Sequence, residues 1–188
     1  MLKLQVIVAS TRDERKGHVV AAWFVEQARR HGQFEVEVVD LVDVGLPMFD
    51  EPRHPRLRQY EHEHTRLWSA VVDRADAFVF VTPEYNHGAP PSLLNAMDFL
   101  VHEWAYKPVA YVSYGGASAG LRGVQMTKQV VAALRMVSVV EAVAIPFFAQ
   151  HIDAATGAFD PGAVQEKAAV AMLDELLKWA EALKPMRG

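Results

Sequence analysis

Hydroxyl and guanidinium side chains are concentrated between Ser10 and Gly17. Ser10 and Thr11 stand beside Arg12 and Arg15, and an amphipathic helix pattern begins soon after them. Free N–H groups at a helix N-terminus attract negative charge, and a guanidinium group binds phosphate through two hydrogen bonds. The stretch therefore predicts a site for a terminal phosphate. Helix capping by the two hydroxyl groups, with solvated arginines, is the alternative interpretation of the same residues.

A second group of candidate residues lies between Thr82 and Asp98, where a buried apolar run ends and a helix begins. Pro83 stiffens the path, Tyr85 offers an aromatic face, and the Asn86 amide can both donate and accept hydrogen bonds. A planar heterocycle could lie against this loop. The alternative is a turn in which Asn86 bonds the backbone and Tyr85 packs on the surface.

The third stretch, Gly115 to Gly120, has glycine at three of its six positions. Glycine has no Cβ and tolerates a positive φ, so its backbone can approach a ligand closely. The N–H groups of this stretch could face a carbonyl group or a developing negative charge. An ordinary glycine-rich turn explains the same residues.

All three stretches follow predicted β-strands. The run Ala77–Val81 is β-branched, aromatic and uncharged, which indicates a strand buried on both faces, as in a parallel sheet. The predicted strands are Leu4–Ala9, Phe34–Leu41, Ala77–Val81, Val109–Ser113 and Val137–Ala144. The predicted helices cover about Val19–His31, Leu57–Ala75, Pro91–Glu103, Val124–Arg135 and Pro161–Leu183.

The alternation of strands and helices predicts an α/β fold with a parallel sheet between two helical layers. For five such units the common strand order is 2-1-3-4-5, the flavodoxin-like arrangement. We therefore expect residues 1–188 to form one flavodoxin-like domain, a three-layer sandwich around a five-stranded sheet. In that order the three stretches meet at the carboxyl edge of the sheet.

The composition argues against several classes of function. A net charge of -4, from 19 basic and 23 acidic residues, argues against a surface for nucleic acid or anionic membranes. The chain has no cysteine, so redox chemistry requires a bound cofactor. Neither a Gly-x-Gly-x-x-Gly fingerprint nor a P-loop is present, which disfavours dinucleotides of the Rossmann kind and nucleoside triphosphates. No run is long enough for a signal peptide or a membrane span, so we expect a cytoplasmic protein.

Taken together, the three stretches resemble the NAD(P)H-dependent FMN reductase family of flavodoxin-like flavoproteins, which includes azoreductase-like and quinone- or chromate-reducing members. The resemblance covers nearly the whole chain, and the Pro-Glu-Tyr-Asn core is its most specific part. The matching motifs are Ser10-Thr11-Arg12-Asp13-Glu14-Arg15-Lys16-Gly17, Thr82-Pro83-Glu84-Tyr85-Asn86-His87-Gly88 with Leu94-Asn95-Ala96-Met97-Asp98, and Gly115-Gly116 through Arg122 and Gln125.

The resemblance implies a set of FMN-binding residues. It assigns the phosphate to Ser10, Arg12, Arg15, His18 and Val19. It assigns the flavin edge to Pro83, Glu84, Tyr85 and Asn86, and the pyrimidine side of the ring to Ser113, Gly115 and Gly116. Two positions depart from the family pattern: Ala9 replaces a common glycine, and Ala119 interrupts the glycine run.

The resemblance also implies the reaction. FMN would accept hydride from NADPH or NADH and then reduce a small-molecule acceptor: a quinone, an azo compound, a free flavin or a metal oxyanion. No side chain is expected to act as an acid or base in the hydride transfer. An electron-transfer flavodoxin without NAD(P)H reductase activity is the alternative, although its first loop normally lacks these arginines and its charge is usually far more negative.

Three further expectations concern partners and ions. The family implies a homodimer or homotetramer, and we expect Met97, Phe99, Leu100 and Trp104 to form an apolar surface for it. The run Glu61-His62-Glu63-His64 is predicted to be a solvated helix face rather than a metal site, because side chains two positions apart point to different sides. Arg12 or Arg122 could reach the 2′-phosphate of NADPH.

Overall fold

A parallel sheet forms the centre of the computed structural model, which describes residues 1–187. Its strands are β1 (Leu2–Val8), β2 (Phe34–Asp40), β3 (Ala77–Pro83), β4 (Pro108–Tyr114), β5 (Val137–Ser138) and β6 (Val143–Ile145). Every residue of β3 and β4 is buried. Both strands are therefore covered on two faces, as their apolar sequences indicate.

The strand order is β2-β1-β3-β4-β5, and β6 also pairs with β4. The predicted parallel arrangement and order are confirmed. The prediction of one strand over 137–144 is wrong, because the chain forms two short strands that pair with different parts of β4. Between them Val140 is 86% exposed and Glu141 is half-buried, so this segment does not continue the buried ladder.

Helices cover both faces of the sheet, which confirms the flavodoxin-like sandwich. Side chains alternate along each strand, so Val79 and Val81 face one helical layer while Phe78 and Phe80 face the other. One core packs against α1 (Gly17–His31) and α6 (Ala163–Leu183). The other packs against α3 (Glu63–Asp73), α4 (Pro91–Asp98) and α5 (Leu121–Ala133), and the four-residue α2 (Leu41–Val44) follows β2.

Two helices are at least five residues shorter than predicted. The segment 57–75 is helical only from Glu63, because the buried Glu51 carboxylate accepts hydrogen bonds from the backbone N–H groups of Glu61 and His62 and fixes a loop there. The segment 91–103 stops being helical after Asp98, and the Trp104 indole N–H donates to the Met97 carbonyl at 3.2 Å. By contrast, α5 begins three residues earlier than predicted, directly after Gly120.

The prediction of an apolar surface around the end of the helix that begins at Pro91 is wrong. Met97, Phe99, Leu100 and Trp104 are each 0% exposed within the single chain. The early end of α4 turns the following segment inward, and Trp104 packs against Phe78 with ring centroids 4.9 Å apart. These side chains form core, so they provide no surface for a partner.

None of the helices within residues 1–187 has the length and apolar content needed to cross a membrane.

Candidate active site

The three stretches meet at the carboxyl edge of the sheet around a cavity of about 460 Å³. Ser10 and Tyr85 connect the first and central loops through a hydroxyl–hydroxyl hydrogen bond of 2.8 Å. Ser118 of the glycine loop donates to Glu84 of the central loop at 3.0 Å. The cavity is lined by Ser10, Arg12, Arg15, Lys16, Pro83, Glu84, Tyr85, Tyr114, Gly115, Gly116, Phe147, Phe148, Ala149 and Gln150.

Eight of the twelve residues predicted to bind FMN line this cavity: Ser10, Arg12, Arg15, Pro83, Glu84, Tyr85, Gly115 and Gly116. The other four do not. His18 is exposed in the first turn of α1, and Val19 lines a separate cavity beside Trp23. Asn86 is exposed at the tip of a turn, and Ser113 is fully buried below the edge. The assignment of FMN contacts to all twelve residues stays a prediction.

The first loop presents two arginines in different states. Arg15 donates to the Asp40 carboxylate through Nη2 at 2.8 Å, while its Nη1 is buried without a partner among residues 1–187. Arg12 is exposed, and no ion pair involves it within the described part of the chain. The loop thus combines a guanidinium held by Asp40 with an exposed one.

Gly17, at the start of α1, lies where an added side chain would force its neighbours to move. An added Cβ would be 2.6 Å from the Tyr114 hydroxyl oxygen and 3.3 Å from the Ser10 Cβ. Burial raises the pKa of Tyr114, and the Ser10 hydroxyl and the charges of Arg15 and Arg12 offset only part of that rise. Tyr114 therefore stays protonated below the first loop.

The central loop forms a tight two-residue turn. The backbone N–H groups of Tyr85 and Gly88 each donate to the other's carbonyl, at 3.0 and 2.9 Å. Asn86 and His87 between them have φ values of 49° and 68°, the pattern of a type I′ turn. Asparagine tolerates that conformation better than most residues, so its presence in the motif has a structural reason. The turn projects Tyr85 toward Ser10.

The glycine loop is held from two sides. Gly115 and Gly116 accept hydrogen bonds from the backbone N–H groups of Phe148 and Phe147, at 3.1 and 3.0 Å. Gly120 has a φ of 81°, and an added Cβ would be 2.9 Å from the Tyr114 carbonyl oxygen, so only glycine fits. Gly116 faces open space, and its N–H has no acceptor within residues 1–187.

The Glu84 carboxylate lines the cavity and accepts three hydrogen bonds. It accepts hydrogen bonds from the Ser118 hydroxyl, the Arg122 backbone N–H and the Arg122 Nε, at 3.0, 3.1 and 2.6 Å. Burial alone would raise the pKa of Glu84, but the hydrogen bonds from Arg122 and Ser118 outweigh burial and hold this pKa below its ordinary value. Glu84 is therefore an ionised structural group that joins two loops.

Sequence reasoning missed one wall of the cavity, the segment Phe147–Gln150. This segment follows β6, and Phe148 packs edge-on against Tyr114 with ring centroids 5.0 Å apart. Phe147 is 51% exposed and has a φ of 46°. The signal was present, since the strand before this segment also ends at the carboxyl edge of a parallel sheet.

The cavity combines cationic, aromatic and N–H donor groups. Arg12, Arg15 and Lys16 supply positive charge, Tyr85 and Phe147 supply aromatic surface, and Gly116 supplies an N–H without an acceptor among residues 1–187. This set fits a ligand that has an anionic group and a planar heterocycle, and the volume is typical of small-molecule sites. No cluster of potential metal ligands occurs within the described residues.

Known proteins match both the sequence and the fold. A family model described as NADPH-dependent FMN reductase matches residues 2–150. An NAD(P)H-dependent FMN reductase of Schizosaccharomyces pombe is 46% identical over 120 residues, which cover 63% of this chain and 60% of that protein. A quinone reductase of Pseudomonas putida is 31% identical over 120 residues, covering 61% of each protein.

Among solved structures, FerB from Paracoccus denitrificans, described as a flavoenzyme NAD(P)H:(acceptor) oxidoreductase, gives a TM-score of 0.75 at 21% identity. The superposition covers 97% of this chain and 98% of that one. At this identity the likeness concerns the fold alone.

Proposed function

Because this chain belongs to the NADPH-dependent FMN reductase family, we propose that it binds FMN in the cavity between its three loops and uses it to oxidise NAD(P)H. The observation that supports this proposal is that the three loops meet around one cavity. Ser10, Tyr85 and Gly116 come from three distant parts of the sequence and line one cavity of about 460 Å³. The same loops carry the motifs that resemble FMN-binding motifs.

The first loop binds the phosphate group in this proposal. Asp40 fixes the Arg15 guanidinium and leaves Nη1 buried without a partner in the described chain. A buried donor without a partner costs about 1–3 kcal/mol, which a phosphate oxygen would recover. Arg12 adds a second positive charge, and the nearby N-terminus of α1 favours an anion.

The other two loops contact the ring. Tyr85 offers its aromatic face, and Gly116 offers an N–H group that has no acceptor among residues 1–187. A fixed N–H donor stabilises negative charge that develops during a reaction. The backbone of the glycine loop thus favours the reduced state of the ligand.

FMN, when bound, supplies the hydride acceptor for NAD(P)H and delivers the two electrons to a second substrate. The chain contributes orientation, charge and exclusion of water. Tyr114 and Glu84 line the cavity, but the raised pKa of Tyr114 keeps it protonated and the lowered pKa of Glu84 keeps it ionised. Neither group changes its proton near neutral pH, which agrees with a hydride transfer that needs no acid or base from the protein.

A quinone is the second substrate that we propose. The relative from Pseudomonas putida is named a quinone reductase. The half-exposed Phe147 ring and Tyr85 give the cavity aromatic surfaces against which a planar acceptor can pack. Azo compounds, free flavins and metal oxyanions are the acceptors to compare with it.

Steady-state kinetics test this function. Without oxygen, purified protein with FMN should turn over NADPH or NADH repeatedly only when benzoquinone is supplied, and reciprocal plots at several quinone concentrations should be parallel, as a ping-pong scheme requires. FMN binding without turnover would instead support the electron-transfer flavodoxin. The homodimer or homotetramer remains a proposal from the resemblance, and sedimentation at several protein concentrations tests it. The cytoplasmic location remains a proposal from the apolar patterning of the sequence.

A further inference from the structure

Arg122 contacts the Glu84 carboxylate through three of its nitrogen atoms. Its Nε and Nη2 atoms lie 2.6 and 2.5 Å from Oε1 of Glu84, and its backbone N–H donates to Oε2 at 3.1 Å. The Glu84 side chain is 6% exposed, whereas that of Arg122 is 51% exposed. A hydrogen-bonded ion pair with one buried partner is among the stronger side-chain interactions.

This ion pair links three parts of the site. Glu84 lies in the central loop, Arg122 lies in the first turn of α5, and Ser118 of the glycine loop donates to the same carboxylate at 3.0 Å. Gly120, the residue before α5, has no side chain to cap the helix. Glu84 therefore caps α5 from a distant loop and fixes the glycine loop beside it.

The pair also controls charge in the cavity. Glu84 lines the cavity and carries a negative charge, since its pKa is held below the ordinary value. An unpaired carboxylate there would oppose negative charge on a ligand that becomes reduced. Arg122 offsets that charge at contact distance.

On the basis of the proposed FMN site, we propose that Arg122 is a positioning residue that acts through Glu84. It fixes the glycine loop against the central loop and neutralises the carboxylate beside the flavin. In this proposal the Nε and Nη2 atoms of Arg122 stay on Glu84, and Arg122 does not read the 2′-phosphate of NADPH, which the sequence alone had left possible. Arg12, which has no ion pair within residues 1–187, is the first-loop arginine that remains available.

Four variants test the proposal: Arg122→Met, Glu84→Gln, the double variant, and Arg74→Met as the matched control. Arg74 forms a similar ion pair with Glu37, and neither residue lines the cavity. Hydrogen exchange of the FMN-free protein is measured first. Arg122→Met should speed exchange in the segment 115–123 at least about tenfold and leave the segment 10–17 unchanged, whereas Arg74→Met should change neither.

The reduction potential of bound FMN separates charge from structure. Arg122→Met should weaken binding of reduced relative to oxidised FMN about tenfold, which lowers the two-electron potential by about 30 mV. Glu84→Gln should shift the potential in the opposite direction, and the double variant should return it toward wild type. If the ion pair had a purely structural role, the reduction potential of bound FMN would shift in the same direction in all three variants, and the proposal would be overturned.

The nucleotide comparison gives an independent outcome. Arg122→Met should lower kcat/KM for NADPH and NADH by the same factor, to within about twofold. A loss confined to NADPH would assign Arg122 to the 2′-phosphate and contradict the proposal. If wild type does not bind FMN, the proposed function fails, while unchanged exchange at 115–123 in Arg122→Met would refute the positioning role by itself.

Discussion

Ser10 and Tyr85 lie 75 residues apart and share a hydroxyl–hydroxyl hydrogen bond of 2.8 Å. Ser10 is 3% exposed and directly follows Ala9, whose N–H donates to the Val81 carbonyl at 3.0 Å. The parallel pairing of β1 with β3 thus brings the two loops together, and the hydroxyl groups fix their separation. The proposed phosphate and ring contacts depend on this connection.

Tyr85→Phe tests that connection while keeping the aromatic face. The lost hydrogen bond should lower the free energy of unfolding by about 1 kcal/mol and weaken FMN binding severalfold. Urea unfolding and FMN fluorescence titration measure the two effects. The control is Tyr60→Phe, which removes a hydrogen bond to Glu103 outside the cavity and should lower stability without changing FMN affinity. Unchanged FMN affinity in Tyr85→Phe would argue against a role for the connection.

Arg12→Ala tests the phosphate assignment with two ligands. FMN and riboflavin share the ring system but only FMN carries a phosphate. The variant should weaken FMN binding about tenfold, as loss of one charge-assisted contact predicts, and leave riboflavin binding unchanged. Arg53→Ala, which removes an arginine paired with Glu61 outside the cavity, should affect neither ligand. Equal weakening of both ligands would place Arg12 at the ring instead.

Gly17→Ala tests the close approach of α1 to β4. The added methyl group would lie 2.6 Å from the Tyr114 hydroxyl oxygen, and such overpacking typically costs about 1–3 kcal/mol. Removal of that oxygen in Gly17→Ala/Tyr114→Phe should restore part of the loss. Thermal unfolding of the single and double variants measures the coupling, and additive losses would show that the hydroxyl is not the obstacle.

The buried Lys107 should give the protein an unusual pH dependence. Its Nζ donates to the carbonyls of Val72 and Asp73, and burial lowers its pKa from the ordinary 10.5 to about 8. Between these values the unfolded chain binds the extra proton, so the free energy of unfolding should rise with pH above about 8, by up to about 3 kcal/mol. Burial raises the pKa of Tyr111 to about 12, so stability that depends on its protonated form declines above pH 10.

Urea unfolding between pH 7.5 and 9.5 measures this rise below the tyrosine range. Lys107→Met should remove most of the slope, whereas Lys167→Met, at an exposed position, should retain it. A wild-type stability that is flat over this range would contradict the depressed lysine pKa.

The sequence predicted the topology well because the local pattern and the sheet rules agree. The uncharged run at Ala77–Val81 and the alternation of strands with helices are sufficient for the strand order. The helix ends were predicted less well because distant groups decide them. Glu51 fixes the loop before α3, and Glu84 lies 38 residues before its partner at the start of α5.

The candidate site was predicted as three loops but not as a complete cavity. The strand before Phe147 and Phe148 indicated that a loop follows at the carboxyl edge. The place of these two residues in the cavity wall depends on backbone hydrogen bonds to Gly116 and Gly115, which no local pattern encodes. The apolar residues before β4 were misread as a surface because apolar spacing cannot distinguish an interface from a core. Trp104 illustrates this, since it is fully buried within its own chain.

Visible absorption spectroscopy without oxygen shows whether this protein binds FMN and whether NADPH reduces the bound flavin. Purified protein is titrated with FMN and then with NADPH, and the flavin absorbance is followed. We expect a bound flavin spectrum at one FMN per chain that bleaches on addition of NADPH and recovers on addition of benzoquinone. If the protein leaves the FMN spectrum and fluorescence unchanged, the three loops do not form a flavin site and the proposed function is wrong.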